Sequence, residues 1–198
     1  MNRRFLLTLA VGLLAGSASA QDVWTVDKNH SEVGFQIRHF VAKVRGRFTD
    51  FTGSITANAA KPDASSVEFT IKTTSIDTDN EGRDKHLRSA DFFDVEKFPE
   101  ITFKSTKVKP AGKDKYDVTG TLSLHGVSKE VTLPVTFGGV MTTKNREGKE
   151  SLKSGFETQL VLNRKDYGIV WNTVLDSGGT VLGDDVTVQI QIEANKAK

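Results

Sequence analysis

The chain of 198 residues carries 27 lysines and arginines against 25 aspartates and glutamates, a formal charge of +2, and no cysteine. Such a balance excludes the basic excess through which proteins grip a phosphate backbone, so nucleic acid is not an expected partner. The missing cysteines exclude disulfides, thiol nucleophiles, thiolate metal sites and the lipidated cysteine of a bacterial lipoprotein.

Residues 1–20 have the form of a secretory signal. Arg3 and Arg4 precede an apolar run from Phe5 to Gly16, and Ala18-Ser19-Ala20 supplies the small residues of a cleavage site. The run is too short for a bilayer span, which needs roughly 20 apolar residues. Cleavage after Ala20 leaves Gln21 as the first residue of a formally neutral chain with a periplasmic address. Paired arginines suit a twin-arginine signal and an ordinary basic leader alike, so the export route stays open. No linker, repeat or low-complexity stretch divides residues 21–198, which are expected to form one domain.

Beyond the leader, apolar side chains recur at every second position, the spacing that separates the two faces of a strand. Val23 to Asp27 is the first such segment; Val33, Phe35 and Ile37 then alternate with Glu32, Gln36 and Arg38. Arg45 to Asn58 follows, then Val67, Phe69 and Ile71 between Glu68, Thr70 and Lys72. The rhythm breaks from Asp79 to Phe98, where the charged run Asn80 to Ser89 predicts a short helical or looped insertion. Within it, Asp91-Phe92-Phe93-Asp94 sets two rings between two carboxylates, so one or both rings should turn inward as a lid or plug while the acids stay wet.

Alternation resumes with Ile101 and Phe103, then Tyr116, Val118, Leu122 and Leu124, and then Val131, Leu133, Val135 and Phe137. Phe156, Leu160 and Leu162 follow, and Val186, Val188, Ile190 and Ile192 end the series of about nine strands. Turn residues fall between them at Ala60-Lys61-Pro62-Asp63, Pro110-Ala111-Gly112-Lys113, His125-Gly126-Val127-Ser128, Asn145-Arg146-Glu147-Gly148 and Gly178-Gly179. Strands this numerous, joined by hairpins, must close into a sandwich or an up-and-down barrel, and a barrel is expected. A strand from Lys113 to His125 would extend about 40 Å, giving a tall and narrow barrel. Such a lumen is filled by side chains or holds one small ligand, and alternation does not choose between them.

Several blocks of this sequence resemble the YceI-like family of exported polyisoprenoid-binding proteins. They are Trp24-Thr25-Val26-Asp27 with His30-Ser31, Gly46-Arg47-Phe48, Ser75-Ile76-Asp77-Thr78 and Arg83 to Asp94. Phe98-Pro99, Ile101 to Ser105, Gly120 to Ser128 and Asn163-Arg164-Lys165-Asp166-Tyr167-Gly168-Ile169 continue the match. The resemblance implies an all-β fold, an extended lipocalin-like antiparallel β-barrel of about eight strands with a short helical insertion. It implies further that the barrel encloses a polyisoprenoid or isoprenoid quinone with its polar end near the mouth. It admits a homodimer, and membrane contact would be transient, for ligand exchange.

The inward apolar residues are then the expected ligand contacts. From the first half of the chain these are Phe35, Ile37, Phe48, Phe69, Ile71, Ile76 and Phe92; from the second, Phe103, Leu122, Leu124, Phe137, Leu160 and Trp171. Each serves equally well as core, since a barrel's lining and its binding site are one surface. Arg83 and His86, beside Asp84 and Lys85, could meet an anionic or quinone head group, or could form a solvated helix face.

Catalytic patterns are missing. His30, His39, His86 and His125 are scattered without metal-ligand spacing. No Gly-x-Ser-x-Gly elbow occurs, and Gly178-Gly179 lacks the lysine and helix of a phosphate loop. A carrier without cofactor or metal is therefore expected ahead of an enzyme acting on an isoprenoid or an envelope interaction module.

Overall fold

The computed structural model describes residues 21–58, 60–144, 147–176 and 179–197. The expected signal lies outside them, as do Asn145, Arg146 and Gly178 of two expected turns.

The strands are β1 (Asp22–Val26), β2 (Glu32–His39), β3 (Ala42–Phe48), β4 (Phe51–Ala57), β5 (Ser66–Lys72) and β6 (Ile76–Asp77). A helix, α1 (Glu81–Arg88), precedes β7 (Glu100–Gly112), β8 (Lys115–Leu124), β9 (Val127–Lys144), β10 (Glu150–Asn163) and β11 (Leu182–Lys196). Every strand pairing is antiparallel. β1 and β2 lie end to end along β11, pairing Val26 with Ala194 and Glu32 with Gln191. They are one stave, interrupted by a 3-10 turn at Lys28–His30 that Asp27 caps by accepting from the Asn29 amide.

The next two staves break in the same way. β3 and β4 follow one another along β2 and β1, and β5 and β6 follow along β4 and β3. Backbone bonds from Thr49 N to Ser75 O and from Lys72 N to Asp50 O tie the two breaks together. With β7 to β11 the count is eight staves, each beside its neighbour in sequence, and the β1–β11 pairing closes the ring. The first two of the nine expected strands are thus one.

Turn chemistry explains the hairpins. His125 and Gly126, at φ 50 and 76, form the two-residue connection between Leu124 and Val127, and positive φ at both positions matches the twist of the flanking strands. The expected turn at 110–113 shifts: β7 runs on to Gly112 and the chain reverses at Lys113-Asp114, with Asp114 at φ 55. β8 is therefore ten residues long and shorter than the expected strand, while β9, β10 and β11 reach 18, 14 and 15 residues. Gly120 faces a bulge between Ser105 and Lys107, where a Cβ would sit 2.4 Å from the Lys104 carbonyl oxygen. Only glycine fits this crowded site.

The first stave break carries an electrostatic contact. The Asp27 carboxylate sits 3.0 Å from His30 Nδ1 and accepts from Asn195 Nδ2 at 3.3 Å and Lys153 Nζ at 3.4 Å. Desolvation alone would raise its pKa, yet these bonds, with that from Asn29, outweigh it and hold the carboxyl below its ordinary 3.8. A depressed folded-state pKa stabilises the fold above the unfolded value and is lost as pH falls through the folded one. The urea midpoint is therefore expected to be level above about pH 5 and to decline below about pH 4, and Asp27→Asn should flatten that decline. Titrating the midpoint for both proteins checks it.

Candidate functional site

The inward faces of the staves enclose a cavity of about 430 Å³, within the 300–1,000 Å³ usual for small-molecule sites. Its wall is built by parity. Phe35 and Ile37 come from β2, Phe48 from β3, Phe69 and Ile71 from β5, and Phe103 from β7. Leu122 and Leu124 of β8, Phe137 of β9 and Leu160 of β10 continue the ring, and Phe92 joins it from the segment after α1. Val33, Val67, Ile101, Val118, Leu133 and Val188 stand in the same phase. The polar members are few. Asp22, Asn58 and Ser65 belong to the end where β4 gives way to β5, Glu157 and Thr158 lie along β10, and Arg164 stands at the opposite end beyond β10. A wall of this chemistry favours a hydrocarbon and offers little to a charged metabolite.

The helix-bearing end is held by polar staples. Asp84 is buried, and its Oδ1 accepts from the Thr78 amide at 3.0 Å and from the Thr78 hydroxyl. Arg83 donates from Nε to Thr78 Oγ1 at 2.7 Å and from Nη2 to Thr78 O at 2.6 Å. Arg88 donates to the carbonyls of Thr74 and Ile76. These contacts set Leu87, Phe92 and Phe93 on the cavity wall, while Asp91 remains exposed. Both rings of the Asp91-Phe92-Phe93-Asp94 block turn inward. Asp84→Ala strands the Thr78 amide and hydroxyl in a buried site, so a loss of about 1.5–3 kcal/mol is expected in equilibrium unfolding.

Behind Phe92 lies an aromatic clamp. His86 meets Phe92 and Trp171 edge-on, each at 5.0 Å between centroids, and Phe92 lies 5.1 Å from Trp171. His86 Nε2 is 2.8 Å from Asp91 Oδ2. The clamp positions a wall residue from outside the cavity.

Arg164 is 5% exposed. Its Nε donates to Gly183 O at 2.9 Å, and its Nη1 to Ile169 O at 2.8 Å and Trp171 O at 2.7 Å; Nη2 faces Asp184 Oδ1 at 3.5 Å. Burial pushes its pKa down and the Asp184 carboxylate opposes that shift. One cation thereby pins the segment after β10 to the start of β11.

The model of the YceI-like domain matches residues 24–194, nearly the whole barrel. The chain belongs to the YceI-like family. A UPF0312 protein of Azotobacter vinelandii is 44% identical over 178 residues, covering 85% of this chain and 88% of that one. The crystal structure of a YceI protein from Campylobacter jejuni is 34% identical and superposes with a TM-score of 0.67 over 87% of this chain and 97% of that one. A domain from Saccharophagus degradans, described as polyisoprenoid-binding, shares the fold at 16% identity, with a TM-score of 0.63 over 88% of this chain and 98% of that one.

In this YceI-like barrel four of the expected contacts lie off the cavity wall. Ile76 is fully buried in the surrounding core, Arg83 is tied to Thr78, and His86 and Trp171 back Phe92 from outside. Helical spacing puts Arg83 on the face of Leu87, but the guanidinium is taken by the neighbouring segment. Arg164 was signalled only by parity, as the next inward position after Leu160 and Leu162. His125 belongs to its hairpin, with Nδ1 3.0 Å from Tyr167 O. Asp27, His30 and Glu193 are grouped closely enough to hold a cation, and the Lys153 ammonium already pairs with both carboxylates.

Proposed function

We propose that this YceI-like protein is an exported periplasmic carrier that holds a long apolar chain, a polyisoprenoid or isoprenoid quinone, in its barrel. The observation that carries the reading is the cavity itself, about 430 Å³ of space inside an almost wholly apolar wall. The leader-like residues 1–20 support export, and the description of the Saccharophagus degradans domain supports the ligand class. Burying roughly 15 carbons contributes on the order of 12 kcal/mol before ordering costs, enough for tight binding without a charged anchor. The same physics makes the carrier tolerant, since an apolar tunnel separates hydrocarbons of similar girth only weakly. On this reading it is a binding protein and not an enzyme.

Organic extraction of the purified protein followed by mass spectrometry tests the proposal. An isoprenoid recovered in proportion to protein is the expected result. An extract without such a molecule, joined to a failure to take up added prenol or quinone, would overturn it.

A further inference from the structure

The hairpin between β2 and β3 closes through Phe40 and Val41, flanked by the pair His39 and Ala42. Phe40 has φ 50, a conformation that favours glycine or asparagine, and its side chain is 47% exposed, while Val41 is fully exposed. Folding gains little from this choice: the ring meets His39 edge-on at 4.6 Å between centroids, yet it sits on left-handed backbone and stays half exposed. A second apolar projection is tied to the first. Phe40 N donates to Val181 O at 2.8 Å, and Val174, 76% exposed, forms an isolated bridge with Thr180 on the same loop.

Cations flank the tip. Arg38 and Lys43 stand directly opposite one another across the hairpin, and Arg45 is opposite Gln36. Like charges so paired destabilise a sheet, and among the described residues no carboxylate lies within ion-pairing distance of the three. Arg38 Nη1 donates to Phe40 O at 2.9 Å, which stiffens the tip. Asp176 is the acidic residue of the adjoining loop. Ile37, three positions before Phe40, is on the cavity wall, so this tip stands at one end of the lumen.

We propose that the Phe40–Val41 tip docks the protein onto an anionic lipid surface. The apolar side chains enter the acyl boundary, and Arg38, Lys43 and Arg45 face the headgroup phosphates. An anionic surface relieves the repulsion of Arg38 and Lys43 and removes Phe40 and Val41 from water in one step. Exchange of cargo at that surface rests on the carrier reading; binding to the surface does not.

The test uses the chain from Gln21, because the ring of strands closes within residues 22–196. Flotation with vesicles containing phosphatidylglycerol should capture it, and vesicles of phosphatidylcholine should not. Each basic residue near such a surface contributes about fivefold, so Lys43→Gln with Arg45→Gln should weaken binding about 25-fold, and added salt should weaken it further. Phe40→Asn with Val41→Ser, both fitting the turn, should cost at least about tenfold with an unchanged thermal midpoint. The indole of Val41→Trp should be quenched by brominated acyl chains. Equal capture by both vesicle types, undiminished binding by the variants, or an unquenched indole would overturn the proposal. Protein without cargo that still floats leaves docking intact and removes the carrier reading; loaded protein that ignores anionic vesicles does the reverse.

Discussion

Protein carrying both Leu160→Trp and Val188→Trp should fold as a barrel yet hold its apolar cargo at least about a hundredfold more weakly than the parent. The two residues are direct cross-strand partners on β10 and β11, and both face the cavity. Both are half-buried, and both border the cavity. Two indoles would occupy the room of roughly four chain carbons, and at about 0.8 kcal/mol for each methylene the cargo loses about 3 kcal/mol. Overpacking costs the fold about 1–3 kcal/mol, so the variant should be checked by its far-UV spectrum and thermal midpoint. Val161 lies between them in sequence on the outer face, 59% exposed. Val161→Trp should leave cargo unchanged, and equal loss in both variants would place the cargo elsewhere.

The largest effect on stability is expected at Arg164. Arg164→Met should cost about 3–5 kcal/mol, because it leaves three carbonyls at a buried site without the charged donor they share. The cost has two sources. The carbonyls of Gly183, Ile169 and Trp171 lose their donors, and Asp184 Oδ1 loses the guanidinium it faces. Arg164→Lys should fall between, because one ammonium cannot reach three carbonyls in the spread that the planar guanidinium spans. Lys165, whose side chain is 45% exposed and pairs with the same Asp184 at 2.9 Å, provides the contrast. Lys165→Ala should cost no more than about 1 kcal/mol. Urea unfolding with an unchanged slope separates these outcomes, and a fall of less than about 1 kcal/mol for Arg164→Met would refute the reading of this cation as a structural pin.

Much of the site was legible because a strand with one face on the lumen must alternate. Phe35 and Ile37, Phe69 and Ile71, and Leu122 and Leu124 were each placed by period two, and each stands on the wall. The charged interruption after Asp79 likewise announced α1, and the paired rings of Phe92 and Phe93 announced its contribution to the cavity. The signal failed where side chains leave the regular lattice. Arg83 and His86 sit on a helix, and their partners, Thr78 and Asp91, belong to the segments that enter and leave it. Arg164 was passed over because burial of a cation depends on carbonyls brought from β11 and the loop before it, which no local pattern records.

The sequence by itself determined a cysteine-free set of antiparallel strands that must close as a sandwich or a barrel, because alternation and turn residues are properties of neighbouring positions. Tertiary structure alone decided that β1 and β2 form one interrupted stave and that Arg164 is a buried cation. It also decided that the inward side chains leave a cavity between them. The radius of a closed sheet follows from how many staves join and how they are sheared, so the space at its centre belongs to the whole ring and to no single strand.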